Sequence, residues 1–268
     1  MKTPLFSKLF GPRPQTVIGM IHVRALPGTP LHKGGMASIL DQALAEAETY
    51  RACGIHALMV ENMHDIPYVQ HPGPEIATAM AVLAREVKRA HPQLPLGLQI
   101  LAGANREALS AALAAGADFI RAEAFVFGHV ADEGYMDSCA GTLLRHRKAI
   151  GAESIAVFTD IKKKHSAHAI TADVDIVQTA HAAEFFLSDG LILTGAATGE
   201  AASVDELRAV YAAAKLPVLV GSGITAENLK TYLPLADAFI VGSYFKKDGH
   251  WANPLDPDRI RRLLDALA

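Results

Sequence analysis

Three carboxylates stand at the ends of short apolar runs, each beside a cation, an amide or both. Glu61 closes the run 57–61, with Asn62 next and Asp65 nearby. Arg121 and Glu123 are two apart in 119–123, so an extended chain puts them on one face. Asp160 closes 155–160, with Lys162 two further on. His22 ends the run 16–22, and Gln99 lies in 96–100. A carboxylate in such a place can take a proton from a carbon α to a carbonyl, or from a sugar hydroxyl. Asp160 and Glu123 are the expected base and acid, and Glu61, Lys164 and His165 complete the catalytic set. Lys162 or Lys164 could also polarise a substrate or form a Schiff base. Lys163, within the same basic run, is expected to be a solvated loop charge. His22, Asn62, Gln99, Arg121 and Lys162 are the expected substrate contacts. Ionisable groups on apolar runs are costly unless they pair or meet a polar ligand. The plainer alternative is a set of mutually paired residues that plugs its own site.

Two glycine turns supply the complementary half. Gly221-Ser222-Gly223 follows the run 217–220, and Gly242-Ser243 follows 238–241. Glycine lets backbone N–H groups approach an anion closely, and a following helix N-terminus adds a favourable dipole. With Thr194 and Gly195 at the end of the run 190–194, these residues are the expected cradle for a substrate phosphate. His22, Glu61, Glu123 and Asp160 could also hold a hard divalent cation such as Mg²⁺. No local ligand motif specifies one.

The elements that must hold these residues alternate throughout. Eight strand-like runs (16–22, 57–61, 96–100, 119–123, 155–160, 190–194, 217–220 and 238–241) are each followed by a helical stretch. Gly54, Gly116 and Gly151 mark helix ends, and Thr225 is placed to cap a short helix. This alternation implies parallel strands with right-handed crossovers, and eight units close a (β/α)8 barrel. The 268 residues fit a single barrel domain, 1–268, with 1–14 as an N-terminal extension. No Gly-x-Gly-x-x-Gly follows the first strand, which argues against a dinucleotide fold. The segment 124–137 is long for its place and could act as a lid. The net charge of −3 gives no reason to expect nucleic acid. No apolar run is long enough for a transmembrane helix, and 1–14 lacks a signal-peptide pattern. Two distant cysteines, Cys53 and Cys139, fit a reducing cytoplasmic compartment. Self-association is expected by analogy with other barrels.

Several segments together resemble the BtpA/SgcQ family of (β/α)8-barrel proteins. They are 18–22 with Leu26-Pro27-Gly28, then Val60-Glu61-Asn62 with Asp65, Pro67 and Tyr68. The series continues through 116–121, 127–134, 160–166, 188–190 and 194–199, and ends at the two glycine turns. The resemblance spans about 16–245. It implies either a role in photosystem I accumulation, as in cyanobacterial members, or sugar metabolism with a phosphosugar aldolase or nucleoside-related activity. Many members carry Asn where this chain has Glu123, so one mechanism need not serve the whole family. The expected function is an isomerase or lyase acting on a small phosphorylated sugar or related ester. The alternatives are a non-catalytic assembly factor, which would show an exposed apolar patch, and a metal-dependent phosphate-ester or nucleoside hydrolase.

Overall fold

The computed structural model describes residues 3–267. Met1 and Lys2 of the expected extension, and Ala268, lie outside the described residues. The strands are β1 (Thr16–His22), β2 (Ala57–Glu61), β3 (Leu96–Gln99), β4 (Phe119–Ala122), β5 (His129–Ala131), β6 (Gly134–Met136), β7 (Ala156–Asp160), β8 (Ser166–Ala167), β9 (Gly190–Leu193), β10 (Val218–Val220) and β11 (Ala238–Val241). Eight of them close a parallel barrel in the order β1-β2-β3-β4-β7-β9-β10-β11. The helices are α1 (Pro4–Phe10), α2 (Met36–Ala52), α3 (Pro74–Ala90), α4 (Asn105–Ala115), α5 (Ala140–Ala149), α6 (Ile176–Phe185), α7 (Val204–Ala213), α8 (Leu229–Tyr232) and α9 (Pro257–Asp265).

The strands sort their residues by alternation. Val17, Ile21, Leu58, Val60, Leu98, Ile120, Val157 and Leu191 point outward into the helix-packed core. Ile18, Met20, Met59, Phe119, Phe158, Ile192, Leu219 and Ile240 point inward and form a separate cluster inside the barrel. Continuing these inward series, and that of Gly97 on β3, by two residues gives His22, Glu61, Gln99, Arg121, Asp160, Thr194, Gly221 and Gly242. The top layer of the barrel is therefore the set of polar and glycine positions that end the strands.

The bottom is closed by α1. Its Phe6 and Phe10 are buried in the inner cluster, with Phe6 6.0 Å from Phe158 and Phe10 5.8 Å from Phe119 between ring centres. Gly97 on β3 makes room for this packing, since a Cβ there would lie 2.1 Å from the Phe119 ring. The sequence marks 1–14 only as an extension; its Phe6 and Phe10, with Leu5 and Leu9 against them, form the barrel's floor.

Two further differences bear on the site. The segment 124–137 is built structure: β5 and β6 form an antiparallel hairpin, and β8 adds a third strand. α8 is four residues long and the turn after β11 is a single 3-10 turn at Ser243–Phe245, so helix dipoles contribute little beside the glycine turns. Thr225 is not the residue flanking α8; it forms a reciprocal turn with Asn228, which is. Among the described residues, no helix is long and apolar enough to cross a membrane.

Candidate active site at the barrel mouth

An open cavity of about 150 Å³ occupies the C-terminal end of the barrel. One wall is backbone, from Gly221 to Thr225 and from Ile240 to Tyr244. The side chains of His22, Glu61, Arg121 and Lys164 complete the lining, with His22 beside Gly242 and Arg121 beside Gly221, and Met63, Thr198 and Arg259 also border it. Gly223 has φ of +69° and lies against the loop after β9, where a Cβ would stand 2.3 Å from Ala201 backbone atoms. Both the conformation and the space there require glycine. The N–H groups of Gly223, Ile224 and Ser243 meet no acceptor among the described residues. Backbone donors left open toward a cavity are suited to an anion.

Not every residue expected in the cradle faces it. The Ser222 hydroxyl accepts from the Gly195 N–H (3.0 Å) and donates to the Glu200 carbonyl (2.7 Å). It joins the loops after β9 and β10, and Gly195 spends its donor on that link. Thr194 accepts the Lys164 N–H through Oγ1 (3.2 Å), which fixes the chain after β7. Gly221, Ser222, Gly223, Gly242 and Ser243 line the cavity; Thr194 and Gly195 support it from behind.

The carboxylates divide in the same way. Arg121 clamps Asp160 through two hydrogen bonds, Nε to Oδ2 at 2.9 Å and Nη2 to Oδ1 at 2.8 Å. The Asp160 side chain is fully shielded from solvent, and Arg121 stands between it and the cavity. Glu123 accepts the Gly103 N–H (2.8 Å) and pairs with Lys163 (3.4 Å). The expectation for Lys163 as a solvated charge is wrong: its side chain is 6% exposed, held between Glu123 and Glu133. The hairpin β5–β6 brings Glu133 in from the side, a contact that local sequence cannot announce.

Glu61 is the carboxyl group on the cavity wall, 3.4 Å from His22 Nε2. Burial raises its pKa, while Arg121 and Lys164 draw it down. His22 is held at about 3 by burial and by the Lys246 cation, so its ring is neutral. Its Nδ1 lies 3.1 Å from the Trp251 carbonyl, which can only accept. That assignment puts the proton on Nδ1 and leaves an Nε2 lone pair facing Glu61. Glu61, when protonated, would have a hydroxyl to turn toward that lone pair. Lys164 is half-buried, with Nζ 3.3 Å from Thr198 Oγ1; burial and then Arg121 lower its pKa.

The remaining expected residues lie outside this centre. Asn62 spends its amide on Asp65 (2.8 Å) and on the Leu101 N–H (2.7 Å), and Asp65 accepts the Leu26 N–H (2.8 Å), so the pair ties together the loops after β1, β2 and β3. Gln99 is buried, and its Oε1 meets no donor among the described residues. Lys162 lines a separate small cleft with His129 and His168. His165 is exposed and bonds Thr198. Among the described residues, no three His, Cys, Asp or Glu side chains gather as a metal-binding group. Residues missed in the sequence include Met63, Thr198, Tyr244 and Arg259. The Arg259 guanidinium lies 4.4 Å from the centre of the Tyr244 ring, yet in sequence it reads as one more charge on a C-terminal helix.

A closed parallel (β/α)8 barrel with a polar cavity at its C-terminal face defines the class of this protein. Within that class the chain belongs to the BtpA family, whose model matches residues 13–268. It is 50% identical to an uncharacterized mitochondrial protein of Caenorhabditis elegans, covering 96% of this chain and 95% of that one. It is 30% identical to the photosystem I biogenesis protein BtpA of a Synechocystis strain, covering 94% and 88%. Solved structures of similar fold include 3-hexulose-6-phosphate synthase, with TM-score 0.59, 16% identity, and coverage of 95% of this chain and 100% of that one. Orotidine 5'-monophosphate decarboxylase of Methanocaldococcus jannaschii is another, with TM-score 0.58, 14% identity, and coverage of 95% and 98%. At such identities the likeness concerns the fold.

Proposed function

We propose that this protein is an enzyme that binds a small phosphorylated sugar or related phosphate ester and moves a proton on it, in an isomerase or lyase reaction. One observation carries the reading: backbone N–H groups without partners among the described residues share a single cavity with Glu61, Lys164 and Arg121. The phosphate lies against Gly221–Ile224 and Gly242–Ser243, and the carbonyl or hydroxyl end turns toward Glu61. Glu61 exchanges the proton beside His22, since a carboxyl group whose pKa burial raises is suited to general acid–base work. Lys164 and Arg121 offset the negative charge that develops on the substrate oxygen. Asp160 and Glu123, the carboxylates first expected as base and acid, fix Arg121 and Lys163 instead. The phosphate-ester chemistry in the names of the similar structures agrees with this reading without establishing it.

Thermal melting against phosphosugars, nucleotides, inorganic phosphate and Mg²⁺ tests the proposal. A ligand at about 100 times its Kd adds about 2.7 kcal/mol of stability. A selective shift with a phosphosugar, lost in Gly223→Ala, is the expected result. A well-folded protein that responds to no phosphate compound would sink it.

A second reading has its own support. Phe185, Phe186 and Leu187 at the end of α6 are 81%, 47% and 70% exposed. Together with the name of the Synechocystis relative, this tip supports an assembly factor that grips a partner through apolar contact. In that case the tip, and not the mouth, would be the part whose substitution abolishes activity in cells.

A further inference from the structure

Among the described residues, the cations that border the mouth cavity are Arg121, Lys164 and Arg259. Arg121 is clamped to Asp160, and Lys164 sits beside Thr198. Arg259 is held in another way. Asp256 caps α9 by accepting the Asp258 N–H (3.0 Å) and the Arg259 N–H (3.4 Å), which sets Arg259 in the first helical turn. Its Nε donates to the Tyr244 carbonyl at 2.5 Å, and its guanidinium carbon lies over the Tyr244 ring. These contacts use one N–H and one face of the guanidinium. The Nη1 and Nη2 groups meet no acceptor among the described residues. Nη2 lies against Gly249, 3.4 Å from where a Cβ would stand, and Gly249 also lines the cavity. Arg261, two residues on, pairs with Asp258, whereas Arg259 forms no ion pair among the described residues. The exposed carboxyl of Glu227 is held low first by the Thr225 hydroxyl and only last by Arg259, so it is a distant neighbour.

The turn that holds Arg259 through Tyr244 also offers the Ser243 N–H, and the Gly223 and Ile224 N–H groups belong to the neighbouring turn after β10. The cavity is thus bordered by donors from α9, from the turn after β11 and from the turn after β10. A phosphate monoester presents three terminal oxygens and close to two negative charges at neutral pH. A diester or a carboxylate presents two oxygens and one charge. We propose that Arg259 is a ligand of the substrate phosphate and that this seat selects a terminal phosphate monoester, bound as its dianion. The proposal rests on the phosphate reading above and deepens it by naming the class of ester. Each terminal oxygen then has its own set of donors: the guanidinium, Ser243, and Gly223 with Ile224. A planar fork already fixed by a carbonyl and a ring loses little freedom on meeting phosphate, and its charge strengthens the contact.

The test compares methyl phosphate with dimethyl phosphate by calorimetry and thermal melting of the full chain. Dimethyl phosphate is expected to bind about tenfold more weakly or worse, the size of a lost charge-assisted contact. Arg259→Met is expected to weaken methyl phosphate by a similar factor. Arg259→Gln, whose amide can still donate to the Tyr244 carbonyl, is expected to show the same loss with the melting temperature of the free protein retained. Unchanged affinity in either variant would overturn the proposal. Affinity restored in Arg259→Gln after loss in Arg259→Met would overturn it too, since the residue would then only hold the turn. Equal binding of the two esters by the unaltered protein would overturn the selection of a monoester while leaving the phosphate reading in place. If the unaltered protein binds neither methyl phosphate nor inorganic phosphate, both the proposal and the phosphate reading are refuted.

Discussion

The mouth gives opposite pH signs to its two partners. His22 titrates near 3 when folded, against about 6.5 in a free chain. The unfolded chain therefore binds more protons between those values, and stability falls as the pH drops through that window. His129, held at about 4 by burial and by His168, acts in the same direction. Glu61, with its raised pKa, works the other way: its contribution weakens as the pH rises past the ordinary carboxyl value. The urea midpoint is expected to fall between pH 6.5 and 4, and to fall less in His22→Asn. An unchanged acid dependence in that variant would contradict the assignment. Glu61→Gln is expected to cut kcat by a factor of about 10²–10⁴ while leaving KM for the substrate little changed. Lys163 tests the supporting layer. Removing one member of a buried pair costs about 3–5 kcal/mol, so Lys163→Met should lower the unfolding free energy by that order. Adding Glu123→Gln should recover part of the loss, and no recovery would mean that the pair is not what holds Lys163.

At the scale of elements, α1 makes the clearest prediction. Phe10→Ala opens a void beside Phe119 and Phe158, a class of change that costs about 3–5 kcal/mol. Denaturant unfolding should show that loss, while phosphate binding at the far end of the barrel is retained. The role of this helix was not legible in sequence. Seven residues with two phenylalanines give no sign that their partners are 119 and 158. The eight barrel strands were legible because apolar runs of four to seven residues punctuated by glycine state their own boundaries. The hairpin β5–β6 was not, because three-residue strands of mixed polarity such as Gly134–Met136 look like loop. The same limit governs the site. Which polar residues end each strand is visible in sequence, but whether Asp160 faces a cavity or an arginine depends on the width of the barrel. Lys163 and Lys164 are neighbours in one basic run, yet one is sealed among carboxylates and the other borders the cavity.

For the whole molecule, the barrel has distinct ends. Its floor is α1, whose Phe6 and Phe10 meet one apolar inner layer of Phe119, Phe158, Met59, Ile192 and Leu219, and its polar top stands two residues further along the same strands. The outer surface is less uniform, since the Phe185–Leu187 tip stands free of the core. Phe185→Ser with Leu187→Ser should leave the unfolding free energy within about 0.5 kcal/mol, as substitutions at exposed positions do. The same pair should reduce self-association at high concentration in sedimentation experiments, and unchanged association would place the contact elsewhere.

Trp251 is the one tryptophan of the chain, and it sits where a natural optical signal is most useful. Its carbonyl holds His22, and its ring centre lies 6.3 Å from that imidazole and 4.8 Å from His64. Ultraviolet emission from its indole therefore reports on one place, the His22 side of the barrel mouth. A ligand that displaces His22 should change the colour or yield of the emission, so binding can be followed without any added dye.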